Sequence, residues 1–286
     1  MSRWFSHKLD RPGIVQKIAA YAVLLLFSTI TILPFIFMIL VSLDGKGEWG
    51  WAPTAPPRLI PDPPTLRFYS YVLSAFNFVR YFINSAVMTI GITLGNLVFG
   101  TLAGYAFARI KFRGRDLIFA ALLGTMMIPG ESLVIPQYLI VQRLGWLNTY
   151  QGLIVPSMVS VFGIFLMREF IRTLPASLEE AAMIDGCSRL GVFVRIVVPL
   201  MKPALVTLAI ITFVQSWNTF LWPLIVAQRE SMFTLQIGLA SFREQRAAEW
   251  SALMAGTAIA MLPTTILFLS LQRYYIQGLV MGATKG

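Results

Sequence analysis

The sequence predicts an all-α membrane protein of six transmembrane helices, and three observations carry that prediction. Of the 286 residues, 57% are hydrophobic and only 13% charged, with a mean hydropathy of +0.71. That is too apolar for a water-soluble globule of this length. Six apolar runs each approach the roughly 20 residues needed to cross a ~30 Å hydrocarbon core. Lysine and arginine collect in alternate connecting segments. Segments of this length can satisfy their backbone in lipid only as helices, since barrel strands are shorter.

The first run, 18–41, has 24 residues and no charge. It is too long for a cleavable signal peptide and no small-residue cleavage site follows, so it is expected to stay as an anchor. A basic lead, 1–17, precedes it. The outer segment after it contains Pro53, Pro56, Pro57, Pro61, Pro63 and Pro64. Such proline density disfavours helix and favours extended backbone. Trp49 and Trp51 nearby suit either interfacial anchoring or docking.

The second run, 82–108, carries Gly91, Gly95, Gly100 and Gly104, small residues that let helices approach closely in lipid. The third, 117–141, is expected to break near Pro129-Gly130. The fourth, fifth and sixth are 152–167, 204–227 and 252–271, and a tail, 275–286, follows. The expected organisation is a lead, a six-helix domain over 18–274 with a polar loop at 168–203, and the tail.

The net charge of +10 could suggest nucleic acid, but its distribution argues for topology. Arg3, Lys8, Arg11 and Lys17, then Arg109, Lys111, Arg113 and Arg115, fall on one side of a six-span chain. So do Arg168, Arg172, Arg189, Arg195, Lys202, Arg273 and Lys285, making fifteen of the 23 basic residues. By the positive-inside rule both termini and the 168–203 loop are cytoplasmic. One cysteine, Cys187, excludes an internal disulfide, and the single histidine, His7, excludes a histidine-based metal site. No Gly-x-x-x-x-Gly-Lys-Ser/Thr occurs, so ATP, if used, is bound by another chain.

The polar loop reads Glu180-Ala181-Ala182, three residues, Gly186, nine residues, Ile196, one residue, Val198-Pro199. Ser177 with Glu180 forms a capping-box pattern for a helix ending at Gly186, which supplies a left-handed turn. A second short helix, roughly 188–196, should run on to Pro199. Glu180 has two readings: it caps its own helix, or it faces a partner together with Ala181, Ala182 and Met183.

This spacing resembles the EAA loop of permease subunits of binding-protein-dependent ABC importers, departing only in Val198, where that family has leucine. The resemblance implies that Glu180, Ala181, Ala182, Asp185, Gly186 and Pro199 couple to a separate ATPase dimer, which holds ATP and magnesium; the permease itself is no enzyme. Cys187 stands where alanine is common and reads as a small apolar substitute. Ser216-Trp217-Asn218-Thr219-Phe220-Leu221-Trp222-Pro223-Leu224, and Ile135-Pro136 followed by Leu144-Gly145-Trp146-Leu147-Asn148-Thr149-Tyr150, are similar to runs in carbohydrate-uptake permeases. The final residues, including Gln277, Gly278 and Lys285, resemble the tail of the smaller membrane subunit of maltose-type importers. There the tail reaches into the ATPase dimer; the plain alternative is a disordered basic end. The resemblance implies a second permease subunit, an extracytoplasmic solute-binding protein, and a place in a bacterial or archaeal inner membrane, with surrounding lipid and no nucleic acid. It implies a sugar or oligosaccharide cargo, with glycerol 3-phosphate as the alternative.

Polar groups within spans are costly and mark packing or passage. Glu131 lies about 22 Å along the third span from Asp116 at 1.5 Å per residue. Gln215, Trp217 and Asn218 lie mid-way along the fifth, and Asn84 and Asn96 in the second. Amides beside an aromatic face suit a sugar path, or equally hydrogen bonds between helices. A lone ion-driven carrier would need buried ionisable groups, and Glu131 is the one deeply placed acid. An intramembrane enzyme would need a catalytic constellation, and none stands out.

Overall fold

A computed structural model describes residues 13–45, 60–75, 77–245 and 250–283, and every regular element among them is a helix. They are α1 (Ile14–Ser42), α2 (Arg67–Ala75), α3 (Phe78–Arg109), α4 (Arg115–Thr125), α5 (Gly130–Arg143), α6 (Tyr150–Ser157), α7 (Val161–Thr173), α8 (Ala176–Ile184), α9 (Arg189–Leu200), α10 (Lys202–Trp217), α11 (Leu221–Val226), α12 (Leu235–Gln245) and α13 (Trp250–Ala283). Three of these, α1, α3 and α13, are long and apolar enough to cross a membrane unaided. Three bent pairs also pass: α4 with α5 at 96°, α6 with α7 at 44°, and α9 with α10 at 76°.

The chain divides into two compact units, residues 1–72 with 247–258 and residues 73–246 with 259–286. In the first, α1 leaves most of its apolar surface exposed and buries Met38, Val41 and Ser42 near its end. There the Ser42 hydroxyl lies 2.7 Å from the Tyr69 hydroxyl, and Asp44 accepts the Asp62 amide at 3.1 Å. The proline-rich segment thus holds a helix, α2, once its last proline is passed; Trp49 and Trp51 lie outside the described residues.

The second unit is built on α3. Its glycines are spaced four, five and four apart, and a five-residue step in a regular α-helix would rotate the stripe off its face by about 140°. A π turn over Asn96–Gly100 widens the helix where that step falls, so residues five apart stay aligned. A Cβ added at Gly91 would lie 2.8 Å from Ile154, at Gly95 2.6 Å from Met158, and at Gly104 2.7 Å from Met167. The stripe is therefore the seat of α6 and α7. Two apolar clusters complete the unit, one around Met88, Leu153, Val226 and Ile237, the other around Met167, Ile171, Val192, Val197 and Leu208.

The carbohydrate-permease-like runs meet in the first cluster. Asn148, at φ 57°, accepts the amides of Gln228 and Arg229, both at 2.7 Å, while the Trp222 indole donates to the Gly152 carbonyl at 3.1 Å. Three expectations need correction. The 204–227 run is not one helix: it stops at Trp217 and resumes at Leu221, because the Pro223 ring collides with the carbonyl four residues earlier and cannot lie in a continuous helix. The 168–203 segment is not all loop, since α7 continues to Thr173 and α10 opens at Lys202. The last helix runs past 271 and 275 to Ala283, so Gln277 and Gly278 are helical; their side chains, and Lys285, lie outside the described residues.

Candidate functional site

Leu174 precedes Pro175, which disfavours helical backbone at residue 174; it is extended at φ −75° and ψ 138°, and α7 ends there. α8 begins directly after the proline. Ser177 sits inside its first turn and caps nothing, so the expected box with Glu180 is not formed. Pro175 occupies the cap position and leaves no side-chain oxygen for the free amides.

The neighbouring acid takes the inward position. Glu179, 6% exposed, accepts from the Arg109 Nε at 2.6 Å and from the Tyr105 hydroxyl at 3.2 Å. Arg109 also donates to the Leu174 carbonyl at 2.7 Å. One guanidinium at the end of α3 thus holds both the end of α7 and the first turn of α8. Glu179 lies in that first turn, where a negative charge also complements the helix dipole. Sequence reading missed this triad; a basic residue ending one span and a second acid beside Glu180 were the available signals.

At its other end α8 closes in a Schellman motif: the Cys187 amide donates to the Ala182 carbonyl at 2.9 Å and the Gly186 amide to the Met183 carbonyl at 3.1 Å. Gly186 has φ +87°, as the turn requires. Cys187 packs half-buried against the apolar cluster that includes Ala182, the contact this motif commonly adds. Ser188 then caps α9 by accepting the Gly191 amide at 3.1 Å. α9 contains a second π turn, Phe193–Val197, and buries Val192, Phe193 and Val197. The Phe193 ring meets that of Tyr105 at 5.0 Å.

Ala182, expected to face a partner, is instead 8% exposed in the chain's own core. Neighbours in a helix diverge by about 100°, so burying Glu179 and Ala182 turns Glu180, Ala181, Met183 and Ile184 outward. Ile184 is 86% exposed and Leu190 on α9 67%. With Asp185, Gly186 and Pro199, these residues form an exposed surface on a helix-turn-helix that is fixed from behind. Met183, Ile184 and Leu190 are thus apolar side chains left exposed on an element anchored from behind.

The candidate path residues separate. Gln215 is exposed at a cavity between α3, α6 and α10. Asn218 is exposed at the end of α10 and donates to the Val214 carbonyl at 2.8 Å. Trp217 is 2% exposed, stacks on Phe213, and donates from its indole to the Ala260 carbonyl at 2.9 Å; it packs helices and lines no path. Glu131 lies exposed on the 3-10 turn opening α5. Because the chain turns through 96° there, residue count gives no depth for it. Asn84 is spent on packing, donating to the Ser231 and Phe233 carbonyls and accepting from the Tyr150 hydroxyl. Asn96 straps the break between α6 and α7, donating to the Ser157 carbonyl at 3.0 Å and accepting the Ser160 amide at 2.9 Å.

Residues 96–280 match the family described as binding-protein-dependent transport system inner membrane component. The chain is 36% identical over 276 residues to the arabinooligosaccharides transport system permease protein AraQ of Bacillus subtilis (strain 168), covering 95% of this chain and 97% of that one. It is 34% identical over 281 residues to the trehalose/maltose transport system permease protein MalG of Thermococcus litoralis, covering 96% and 99%. Among solved structures, a chain of a bacterial ABC transporter involved in the import of the acidic polysaccharide alginate superposes with a TM-score of 0.79 at 24% identity, covering 96% of this chain and all of that one. The match of the family over residues 96–280, and relatives aligned nearly end to end, establish that the chain belongs to the binding-protein-dependent transport system inner membrane components.

Proposed function

We propose that this chain forms half of the translocation pore of an ABC importer for a sugar or oligosaccharide, and that a separate ATPase drives it through α8 and α9. The observation that carries the reading is the rigid, outward-facing helix-turn-helix: its back is bound by Arg109 and its front presents Glu180, Ala181, Met183, Ile184 and Asp185. A stroke delivered to that surface reaches α3, α7 and α10 without slack. Ala182 and Gly186 act in this scheme by shaping the element, the first as its core contact and the second as its turn.

The six-span count, with α4–α5, α6–α7 and α9–α10 each taken as one span, and cytoplasmic placement of both ends, are part of the proposal. So are a prokaryotic inner membrane, a second permease subunit, an ATPase dimer binding ATP and magnesium, and an extracytoplasmic solute-binding protein. The names of the arabinooligosaccharide and trehalose/maltose relatives support a carbohydrate cargo. Gln215 and Asn218 are the path residues retained, and the 275–286 end is proposed to contact the ATPase.

The test is purification of the tagged chain in mild detergent with identification of everything that accompanies it. A second permease and an ATPase are expected. A chain recovered alone that still transports in vesicles lacking ATP would overturn the reading in favour of an ion-driven carrier.

A further inference from the structure

We infer that a neutral polar cavity walled by α3, the α6–α7 break and α10 is a transit subsite for an uncharged, polyhydroxylated solute. The inference deepens the permease reading above and rests on it. The cavity measures about 310 Å³, at the lower end of the roughly 300–1,000 Å³ typical of small-ligand clefts. Asn96, Ser160, Thr212, Gln215, Ser216 and Thr219 supply its polar lining, and no ionisable side chain lines it.

Its depth follows from three walls independently. Asn96 lies 13 residues from Arg109, Gln215 13 from Lys202, and Ser160 12 from Arg172. At 1.5 Å per residue each is about 18–20 Å from the basic end of its helix, just past the middle of a ~30 Å core. At that depth two of the walls are interrupted and the third, continuous, is widened. α3 opens its π turn at Asn96, α6 and α7 part at residues 158–160, and α10 stops at Trp217. Helices interrupted near the midplane around polar groups are a way secondary transporters build solute sites, and two of these walls share that feature.

The side chains are also left available. Several threonine hydroxyls in other parts of the chain turn back on their own backbone, as Thr31 does to Phe27, Thr207 to Pro203 and Thr257 to Leu253, although the buried Thr89 and Thr93 hydroxyls of α3 have no partner among the described residues. Thr212, Gln215, Ser216 and Thr219 make no such side-chain bond with any described residue. Four unspent polar groups at this depth are costly unless the cavity's contents satisfy them. Hydroxyls and an amide both donate and accept, which matches sugar hydroxyls.

An anion would look for a cation or an open helix N-terminus. No cation lines the cavity, and at the N-terminus of α7, which borders it, Ser160 N is taken by the Asn96 side chain at 2.9 Å and Gly163 N by the Ser160 hydroxyl at 3.0 Å. The cavity therefore favours neutral over phosphorylated or acidic cargo.

The test uses the complete complex with its binding protein in vesicles. In a Cys187→Ala background, Gln215→Cys, Thr219→Cys and, on the exposed apolar face of α3, Leu94→Cys are treated with a hydrophilic, membrane-impermeant thiosulfonate. The two cavity cysteines are expected to react at least tenfold faster than Leu94→Cys. Arabinotriose, maltotriose or trehalose should slow that reaction several-fold, and sn-glycerol 3-phosphate should not. Cavity cysteines no more reactive than Leu94→Cys would overturn the subsite. So would lack of protection by every probe, while protection by glycerol 3-phosphate alone would overturn the neutral class. In each of these cases a co-purifying ATPase leaves the permease reading standing; its absence sinks that reading instead.

Discussion

Glu179 and Glu180 differ by one position and about 100° of helix, and that rotation separates a structural acid from an exposed one. Glu179→Leu would leave the Arg109 guanidinium, mostly buried, without its carboxylate, at a cost of about 3 kcal/mol. Adding Arg109→Met removes the stranded charge, so the double variant should recover most of that loss. Thermal denaturation of the purified complex checks both. Glu180→Ala should leave stability within about 0.5 kcal/mol, since its side chain is exposed; under the proposed function it should instead lower solute uptake per ATP hydrolysed. Gly186, at φ +87°, tolerates asparagine, whereas Gly186→Val should cost at least 1–2 kcal/mol and abolish uptake while the chain remains in the membrane. Normal uptake by Gly186→Val would refute the need for this turn. The turn was legible because only glycine adopts that backbone cheaply. Which alanine faces inward was not, because Ala181 and Ala182 are chemically identical and only the cluster behind α8 distinguishes them.

At the scale of the element, the π turn in α3 and its glycines act as one device. Gly95→Ala would put a methyl 2.6 Å from the Met158 Cβ and 2.8 Å from its carbonyl oxygen; Gly104→Ala would put one 2.7 Å from the Met167 Cβ and 2.9 Å from the Arg168 amide nitrogen. Each should cost about 1–3 kcal/mol by overpacking. Gly100→Ala, with its nearest neighbour at 3.5 Å, should be accommodated. Gly124→Ala meets nothing within 4 Å and should be neutral or stabilising by up to about 1 kcal/mol. Denaturation midpoints of the four variants check this order, and equal effects at Gly95 and Gly124 would refute the seat. Runs of apolar residues announced the spans, and Pro129-Gly130 announced the sharpest bend. The break at Asn218–Phe220 was less legible, because the proline that causes it, Pro223, lies three residues beyond. The π turns were illegible, since no residue type marks them; only the four-five-four spacing of glycines, combined with knowledge of the facing helix, gives one away. An indole suits a sugar path, which made Trp217 a candidate, but its N–H is committed to the Ala260 carbonyl of a neighbouring helix.

For the whole molecule, the number of crossings decides where the ends lie. Counting only the three unbroken helices gives an odd number and puts the ends on opposite faces; counting each bent pair as a span gives six and puts them together. The charges favour six. Arg109 to Arg115 at the end of α3, and Arg189 to Lys202 around α9, share one face with the basic lead under either count, but Arg273 and Lys285 near the chain's end share it only if the crossings are even in number. With three crossings the α3 end would still lie with the lead, but the last helix would deliver the chain's end to the opposite side. The coupling element must also be cytoplasmic for an ATPase to reach it. A fluorescent protein that folds only in the cytoplasm should therefore light up at either end of the chain, and alkaline phosphatase, active only after export, should be silent at both. Phosphatase activity confined to the C-terminal fusion would mean that the bent pairs are re-entrant and that this chain crosses the membrane three times. A silent pair of ends, joined to phosphatase activity from a fusion within the 46–59 segment, establishes that α1 crosses and that the remaining crossings are odd in number. That parity is what six crossings, and not three, provide.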